Sequence, residues 1–199
     1  MSSLRRLKSQ VMLAGLIATA IGSAQPAGSQ ADDPYVVLQT TQGVIRIRIF
    51  ESRVPQTAGN FLDLVSRGYY NGNTFHRIET WCVQTGDPSG TGRGAFVDPQ
   101  TGRPRFVPLE ICPQYHHDRP GMVAMARSQD PNSASAQFYI TKSAVPYLNG
   151  QYSIFGGVVQ GVDVVMRLTR NDKIITATID HPSAPAESAP KRSENSINF

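Results

Sequence analysis

Cysteine, acidic charge near the N-terminus and long hydrophobic runs are all scarce in this sequence of 199 residues. The chain has two cysteines, and no acidic residue precedes Asp32. It also has no cluster of lysine or arginine with interleaved aromatic residues. The missing basic cluster argues against nucleic acid as a partner.

The basic balance of the chain comes largely from its N-terminus. The formal net charge is +4, Arg5, Arg6 and Lys8 supply three of those charges, and removing them leaves +1. The remaining charges are scattered, which is typical of a solvated surface. Net charge therefore says little about what the protein binds.

The N-terminus has the features of a secretory signal peptide. A basic start is followed by an apolar run over residues 11–21 and then by the small residues 22–24. This pattern favours cleavage after Ala24, with Ala27 and Ala31 as alternative sites. The apolar run is shorter than the roughly 20 residues that span a bilayer, although an uncleaved membrane anchor stays an alternative. No cysteine follows the run, so we expect no lipid attachment there.

The rest of the sequence predicts one domain. An apolar content of 40% is enough for a sizeable core, and single domains usually run to about 100–200 residues. The tail has little apolar surface to bury and is expected to be disordered. The predicted organisation is a signal peptide at 1–24, a polar linker at 25–34, a domain at 35–180 and a disordered tail at 181–199.

Alternating patterns predict a mainly β domain. The first strand covers residues 35–40, a turn follows at 41–43, and the second strand covers 44–50. Along the second strand one face is buried, carrying Ile45, Ile47 and Ile49. A helix then begins at Pro55 and ends near Gly68, with its apolar face formed by Ala58, Phe61, Leu62 and Val65.

Most later apolar segments also predict strands. They cover residues 78–84, 122–125, 137–141, 153–159 and 174–179, with one short helix near 162–168. Many strands with few helices favour a closed antiparallel sheet. The glycine-rich run S-G-T-G-R-G at 89–94 lacks the lysine and hydroxyl pair of a phosphate loop. We therefore expect a flexible loop there.

Several motifs follow one another in a recognisable order. They are F-H-R at 75–77, Q-T-G-D at 84–87, M-A-R-S at 125–128, Q-F-Y-I at 137–140 and L-N-G-Q-Y-S-I-F-G at 148–156. Together they resemble the cyclophilin family of peptidyl-prolyl cis/trans isomerases, specifically its bacterial type. The resemblance covers roughly residues 35–179.

The resemblance implies a fold, a location and partners. The fold would be a closed eight-stranded antiparallel barrel capped by two helices, with the substrate groove on its outer face. The substrates would be proline-containing peptides and unfolded exported proteins, with no cofactor and no metal. With the signal peptide, this predicts a periplasmic monomer without stable membrane association after cleavage; a secreted protein or a membrane-tethered one is the alternative.

Arg77 is the candidate catalytic residue. Rotation about a prolyl peptide bond meets a barrier of about 18–20 kcal/mol, and in the twisted state the prolyl nitrogen becomes a better hydrogen-bond acceptor. Arginine is an always-protonated donor that can stabilise that state. A surface salt bridge is the alternative role of Arg77.

The resemblance also implies the substrate-binding residues. Strand parity places Gln137 and Tyr139 on one face and Cys82 on the same face as Gln84. An apolar pocket for the proline ring would be formed by Trp81, Cys82, Tyr139 and Leu148. Gln84 and Gln137 would offer amides to the peptide or to Arg77, and Ala126 and Arg127 would lie beside the residue before proline. Core packing is the alternative role of Trp81 and Tyr139.

Two regions depart from the family pattern. The segment between Arg77 and Gln84 is one residue shorter than usual and carries Glu79-Thr80, which puts the position of Trp81 and the substrate preference in question. Tyr147 replaces a tryptophan that helps to bind cyclosporin in eukaryotic members, and Tyr152 replaces their histidine. Both tyrosines are expected beside the groove, and weak cyclosporin binding is expected.

The two cysteines allow three interpretations. An oxidising compartment would permit a disulfide between Cys82 and Cys112. Two separate buried thiols are the alternative, since nothing in the sequence brings their Cα atoms within about 7 Å. A zinc site built from Cys112, His116 and His117 is the third. Beside the isomerase, the sequence therefore leaves open a weakly active cyclophilin-like peptide-binding or chaperone module and a metal-dependent or redox protein.

Overall fold

The computed structural model describes residues 33–181. The predicted signal peptide, nearly all of the linker and nearly all of the tail lie outside the described residues. In chain order the elements are β1 Tyr35–Thr40, β2 Gly43–Ile49, α1 Pro55–Ser66, β3 Arg77–Ile78, β4 Cys82–Thr85, β5 Val97–Asp98, β6 Arg103–Pro104, β7 Met122–Met125, β8 Phe138–Thr141, a 3₁₀ turn Pro146–Leu148, β9 Ile154–Gln160, α2 Val162–Arg167 and β10 Ile174–Asp180. None of the helices in this range is long and apolar enough to cross a membrane.

The main sheet has eight strands in the order β10-β1-β2-β9-β7-β8-β4-β3. Every pairing in it is antiparallel. β5 and β6 form a separate small hairpin that the sequence patterns do not predict. The mainly β class with two helices is confirmed.

The prediction of a closed barrel is wrong, because the sheet is open. β10 and β3 stand at its two edges, and β3 is only two residues long. Within residues 33–181 the two edges are linked by the bridge Thr74–Lys173 and by a few backbone hydrogen bonds, such as Phe75 N to Asp172 O at 3.1 Å. The sheet curls so that its two edges approach each other, but β3 is too short to form a ladder across the gap.

The β1–β2 hairpin and helix α1 form as predicted. Ile45, Ile47 and Ile49 are fully buried along β2. Helix α1 begins at Pro55. Proline has no backbone N–H, but at the first helical position this group has no hydrogen-bond partner within the helix in any case. Gly68 follows the end of the helix with a left-handed φ of 66°. The carboxylate of Glu110 accepts hydrogen bonds from the backbone N–H groups of Gln56 and Thr57. A distant side chain therefore satisfies donors that the helix leaves unpaired.

Aromatic side chains fill the space between α1 and the curled sheet. The ring of Phe61 on α1 lies 5.2 Å from that of Phe138 on β8 and 4.8 Å from that of Phe155 on β9. Tyr70 joins this cluster and donates its hydroxyl to the carbonyl oxygen of Ala136 at 3.0 Å. The interior of the curled sheet is therefore filled by side chains.

The predicted single strand over residues 78–84 is also wrong, because the chain folds back within it. β3 and β4 form a tight antiparallel pair in which Arg77 faces Gln84 and Ile78 faces Val83. The backbone N–H of Glu79 donates to the carbonyl oxygen of Cys82 at 2.9 Å and closes the bend. The shortened segment is therefore the tip of a hairpin.

Candidate active site

A chain of polar side chains begins at Arg77. The register of the sheet sets Arg77 opposite Gln84, and Gln84 opposite Tyr139, which shares its face with Gln137 two residues earlier. Arg77 Nη1 donates to Gln84 Oε1 at 3.2 Å, Gln84 Nε2 donates to Gln137 Oε1 at 2.9 Å, and Gln137 Nε2 donates to the Gly94 carbonyl at 2.8 Å. These bonds fix the orientation of both amides and of the guanidinium group.

Arg77 also has an exposed ion-pair partner. Its Nε donates to Glu79 Oε1 at 3.2 Å, and the two side chains are 44% and 43% exposed. Its guanidinium carbon lies 5.5 Å from the centre of the Trp81 ring. The surface salt bridge considered as an alternative role is therefore present together with the bond to Gln84. A guanidinium has five N–H donors, and these two bonds use two of them.

Aromatic rings form an apolar surface beside Arg77. The Tyr139 ring meets Trp81 edge to face at 5.6 Å and Tyr152 at 5.8 Å. Trp81 is half-buried and Leu148 is buried. Trp81 and Tyr139 thus face each other across the sheet edge despite the shortened segment. This surface is of the kind that a proline ring could pack against.

The hydroxyl of Tyr139 forms a hydrogen bond with His117, a fully buried histidine. It lies 2.8 Å from His117 Nε2, and the backbone N–H and Nδ1 of His117 lie 2.8 and 3.2 Å from Asn149 Oδ1. Because Asn149 Oδ1 accepts from the backbone N–H, the Nδ1 atom must carry a proton to bond to it. Nε2 is then the acceptor and the Tyr139 hydroxyl the donor. Burial lowers the pKa of His117 and raises that of Tyr139, which favours neutral forms of both.

Cys82 lies beneath the aromatic surface and is fully buried. Burial raises the pKa of its thiol to about 11, so the thiol stays protonated at neutral pH and is a poor nucleophile or metal ligand. Cys82 and Cys112 are both free thiols in this structure, which agrees with two separate thiols rather than a disulfide, but only Cys82 is buried and Cys112 is partly exposed. In residues 33–181 no group of three or more histidine, cysteine, aspartate or glutamate side chains is placed to hold a metal ion.

Ala126 and Arg127 lie beyond the two glutamines. The Ala126 N–H donates to the Gln137 carbonyl at 2.9 Å. Arg127 packs over the Tyr152 ring at 4.7 Å and donates through Nε to the Gln151 carbonyl at 3.0 Å. Tyr147 is 65% exposed at the rim, and the expected weak binding of cyclosporin stays a prediction.

The glycine-rich run forms a loop beside the same surface and is held from within by Asp87. The two carboxylate oxygens of Asp87 accept from groups of the loop, namely the backbone of Ser89, Gly92 and Gly94 and the hydroxyls of Ser89 and Thr91. Burial alone would raise the pKa of Asp87, but these hydrogen bonds outweigh it and hold the pKa well below its usual range. The loop is thus built around a buried anion.

A pocket of about 480 Å³, which we call the side pocket, lies between this loop and Arg127. Gln84, Gln137 and Ala126 form part of its wall, and residues 92–95, Phe106, Arg127, Ser128, Ser133 and Ser135 form the rest. The side pocket therefore shares the two glutamines with the polar chain that starts at Arg77.

The structure brings together most of the residues expected at the site. Arg77, Gln84 and Gln137 form one bonded chain, and Trp81, Tyr139 and Tyr152 form one ring cluster. The sequence patterns offered His117 only as a zinc ligand with Cys112 and His116, and they missed its bonds to Tyr139 and Asn149. Strand parity shows that Tyr139 faces outward but not that its hydroxyl reaches a residue from another segment. The roles of the individual residues stay predictions.

Comparison with known proteins settles the family. The model of the family described as "Cyclophilin type peptidyl-prolyl cis-trans isomerase/CLD" matches residues 35–188. The chain belongs to the cyclophilin family. It is a cyclophilin-type peptidyl-prolyl cis-trans isomerase, as curated relatives at about 40% identity are also named.

Three relatives illustrate the match of this cyclophilin. Peptidyl-prolyl cis-trans isomerase-like 1 of Rhizopus delemar is 41% identical over 67% of this chain and 78% of its own. Peptidyl-prolyl cis-trans isomerase ppi1 of Schizosaccharomyces pombe is 40% identical over 75% of this chain and 92% of its own. A crystal structure of a Cryptosporidium parvum cyclophilin, solved in the presence of the dipeptide Ala-Pro, has a TM-score of 0.62 and 35% identity, and covers 73% of this chain and 94% of that one.

The comparisons leave the bacterial subtype of this cyclophilin undecided. The curated relatives named above come from eukaryotes. A cyclophilin from Hirschia baltica has a TM-score of 0.60, with 75% of this chain and 74% of that chain covered, but at 23% identity it speaks only for the fold.

Proposed function

We propose that this cyclophilin is an exported isomerase that speeds the proline-limited folding of other exported proteins, with Arg77 as the catalytic residue. The observation that carries the proposal is the chain from Arg77 to Gln84 and Gln137, placed beside the ring surface of Trp81 and Tyr139. Isomerisation of prolyl bonds takes tens to hundreds of seconds without a catalyst. An isomerase at the site of export would remove that delay.

The chemistry of the proposal needs no covalent step. The proline ring would pack on Tyr139, Trp81 and Leu148, while the part of the peptide before proline turns. As the bond twists, its nitrogen loses conjugation, and a free N–H of Arg77 would donate to it. That bond forms only in the twisted state, so it lowers the barrier instead of merely tightening substrate binding.

The substrates proposed for this chain are peptides with an Xaa-Pro bond. The relative from Cryptosporidium parvum was crystallised in the presence of Ala-Pro, which supports a short proline peptide as the minimal ligand. The ring surface lies on the outer side of the curled sheet, where Trp81 is only partly buried, and this position also suits an unfolded segment of a longer protein. Neither a cofactor nor a metal enters the proposed reaction.

An isomerisation assay on a peptide with a central Ala-Pro bond tests the catalytic role. We expect the Arg77→Ala variant to lose about 10²–10³-fold in kcat/KM, the usual effect of removing one donor to developing charge. Its melting temperature should change little, since Arg77 is 44% exposed. Arg53→Ala, which removes an exposed arginine far along the chain from the site, is the matched control. Equal rates for Arg77→Ala and wild type would rule out the proposed role.

A weakly active peptide-binding or chaperone module is the second candidate. The ion pair between Arg77 and Glu79 favours it, because a carboxylate bonded to the catalytic guanidinium offsets part of its charge. If the protein is such a module, it should bind proline peptides but accelerate their isomerisation by less than about tenfold. The same assay separates the two candidates.

We propose a periplasmic location for the mature protein, with secretion and a membrane tether as the alternatives. The support is the basic start, the apolar run and the small residues within positions 1–24. Expression of the full chain in a bacterium, followed by mass spectrometry of the periplasmic fraction, tests it. We expect a mature N-terminus after Ala24, Ala27 or Ala31, and an intact N-terminus in the membrane fraction would favour the tether.

A further inference from the structure

The side pocket carries two cationic side chains and no acidic one. Arg93 lies on the loop that forms one wall, and Arg127 lies on the opposite wall. Gln84 and Gln137 connect the side pocket to Arg77 through hydrogen bonds. A ligand in the side pocket would therefore lie next to the site proposed for isomerisation, and between two positive charges.

Neither arginine is neutralised by a carboxylate in the described part of the chain. Arg127 donates to the carbonyl oxygens of Gln151, Ser128 and Gln129, so its contacts fix its position but leave its charge. Arg93 is exposed, and no carboxylate within residues 33–181 is paired with it.

The two acidic residues near the side pocket are occupied elsewhere. Asp87 lies under the loop and is saturated by hydrogen bonds from Ser89, Thr91, Gly92 and Gly94. Asp130 accepts from the backbone N–H of Asn132 at 2.9 Å and does not line the side pocket. A ligand in the side pocket therefore meets two cationic side chains and no carboxylate, although the charge of Asp87 behind the loop offsets part of their field.

We propose that the side pocket selects substrates with an acidic side chain in the residues that precede the proline. This inference rests on the proposed function. Ala126 and Arg127 are the positions that resemblance places beside the residue before proline, and both line the side pocket. An extended peptide advances about 3.3 Å per residue and turns alternate side chains to opposite sides. One of the positions just before proline therefore points its side chain into the side pocket.

The side pocket suits a carboxylate on a short aliphatic stem. The ring of Phe106, which is 53% exposed, offers an apolar contact for the stem. The guanidinium groups of Arg93 and Arg127 offer N–H donors in the planar arrangement that carboxylates prefer. A lysine at the same substrate position would meet two like charges and be disfavoured.

Peptide series test the inference. Glutamate, glutamine and lysine are placed in turn at each of the three positions before proline, and kcat/KM is measured at low salt. Partly exposed ion pairs contribute modestly, so we expect glutamate to exceed glutamine by about fivefold at one of these positions, with lysine below both. The preference should nearly vanish at 1 M NaCl, where the screening length is about 3 Å.

Charge reversal on the protein identifies the side pocket as the cause. In wild type, partly exposed ion pairs should give the glutamate peptide a kcat/KM about fivefold above that of the glutamine peptide. In Arg93→Glu this ratio should fall to about one or below, because the pair is replaced by two like charges. Arg53→Glu changes the net charge by the same amount at an exposed position outside the side pocket, and its ratio should match wild type. Arg93→Gln, measured beside them, guards against a folding defect of the reversed variant and should give an intermediate ratio.

Two outcomes would overturn the inference. One is turnover of the peptides without any preference for glutamate at the three positions. The other is a preference that both Arg93→Glu and Arg93→Gln leave unchanged. A chain that turns over none of the peptides would instead refute the proposed function, so the two failures are distinguishable.

Discussion

The two faces of strand β8 have opposite surroundings. On the inner face, Phe138 packs against the rings of Phe61, Tyr70 and Phe155 in a closed apolar cluster. On the outer face, Tyr139 meets Trp81 and is hydrogen-bonded to His117. The inner face stabilises the fold by burying apolar area, whereas the outer face holds polar groups in fixed orientations at a partly exposed surface. Substitutions on the two faces should therefore affect different properties.

The largest effect on stability is expected from the inner face. Phe61→Ala removes the ring that contacts Phe138, Phe155 and Tyr70, and the cavity should cost about 3–5 kcal/mol in the free energy of unfolding. Chemical denaturation measures this loss. Activity per folded molecule should stay within about threefold of wild type, because the outer face is untouched.

Ile175→Ala is the matched control for this substitution. The Ile175 side chain is 56% exposed on β10, and its truncation should change the free energy of unfolding by no more than about 0.5 kcal/mol. The comparison between the two faces fails if Phe61→Ala abolishes activity while the protein remains folded.

A smaller effect is expected from pH, through the histidine that supports the outer face. Burial lowers the pKa of His117 in the folded protein, and burial also lowers that of His76. In the unfolded chain both should titrate near about 6.5. The unfolded state then binds more protons below that pH, so stability is present above it and is lost as the pH falls towards the lowered values.

Melting temperatures between pH 7 and pH 5 test this account. The melting temperature of wild type should fall across that range, and the fall should be smaller in His117→Gln, which removes one of the two groups. Identical slopes in wild type and His117→Gln would show that His117 does not titrate with folding.

Local elements of this fold can be predicted from the sequence more easily than contacts between distant segments. The β1–β2 hairpin and helix α1 depend on local periodicity and on residues such as Pro55 and Gly68, so the sequence predicts them well. The bend at Glu79 was missed because the apolar residues on both sides of it look like one strand. The link between Tyr139 and His117 joins segments that only the tertiary fold brings together. The open edge likewise depends on how far β3 extends, which no pattern indicates.

The smallest effect is expected at the tip of that bend. Exposed ion pairs contribute about 0.2–1 kcal/mol, so removing the carboxylate in Glu79→Gln should raise kcat/KM by less than about fivefold, as more of the charge of Arg77 becomes available. Glu51→Gln, at an exposed position after β2, is the control and should have no effect. A loss of more than about tenfold in Glu79→Gln would mean that the carboxylate is needed to hold Arg77 in place.

The most direct measurement is the rate of cis/trans exchange of a proline peptide bound to the protein, followed by NMR exchange spectroscopy at saturating protein. If Arg77 acts only in the twisted state, Arg77→Ala should bind the peptide within about threefold of wild type. Its bound exchange rate should nevertheless fall by about 10²-fold or more. An unchanged exchange rate in the bound Arg77→Ala complex would contradict the proposal that Arg77 lowers the barrier.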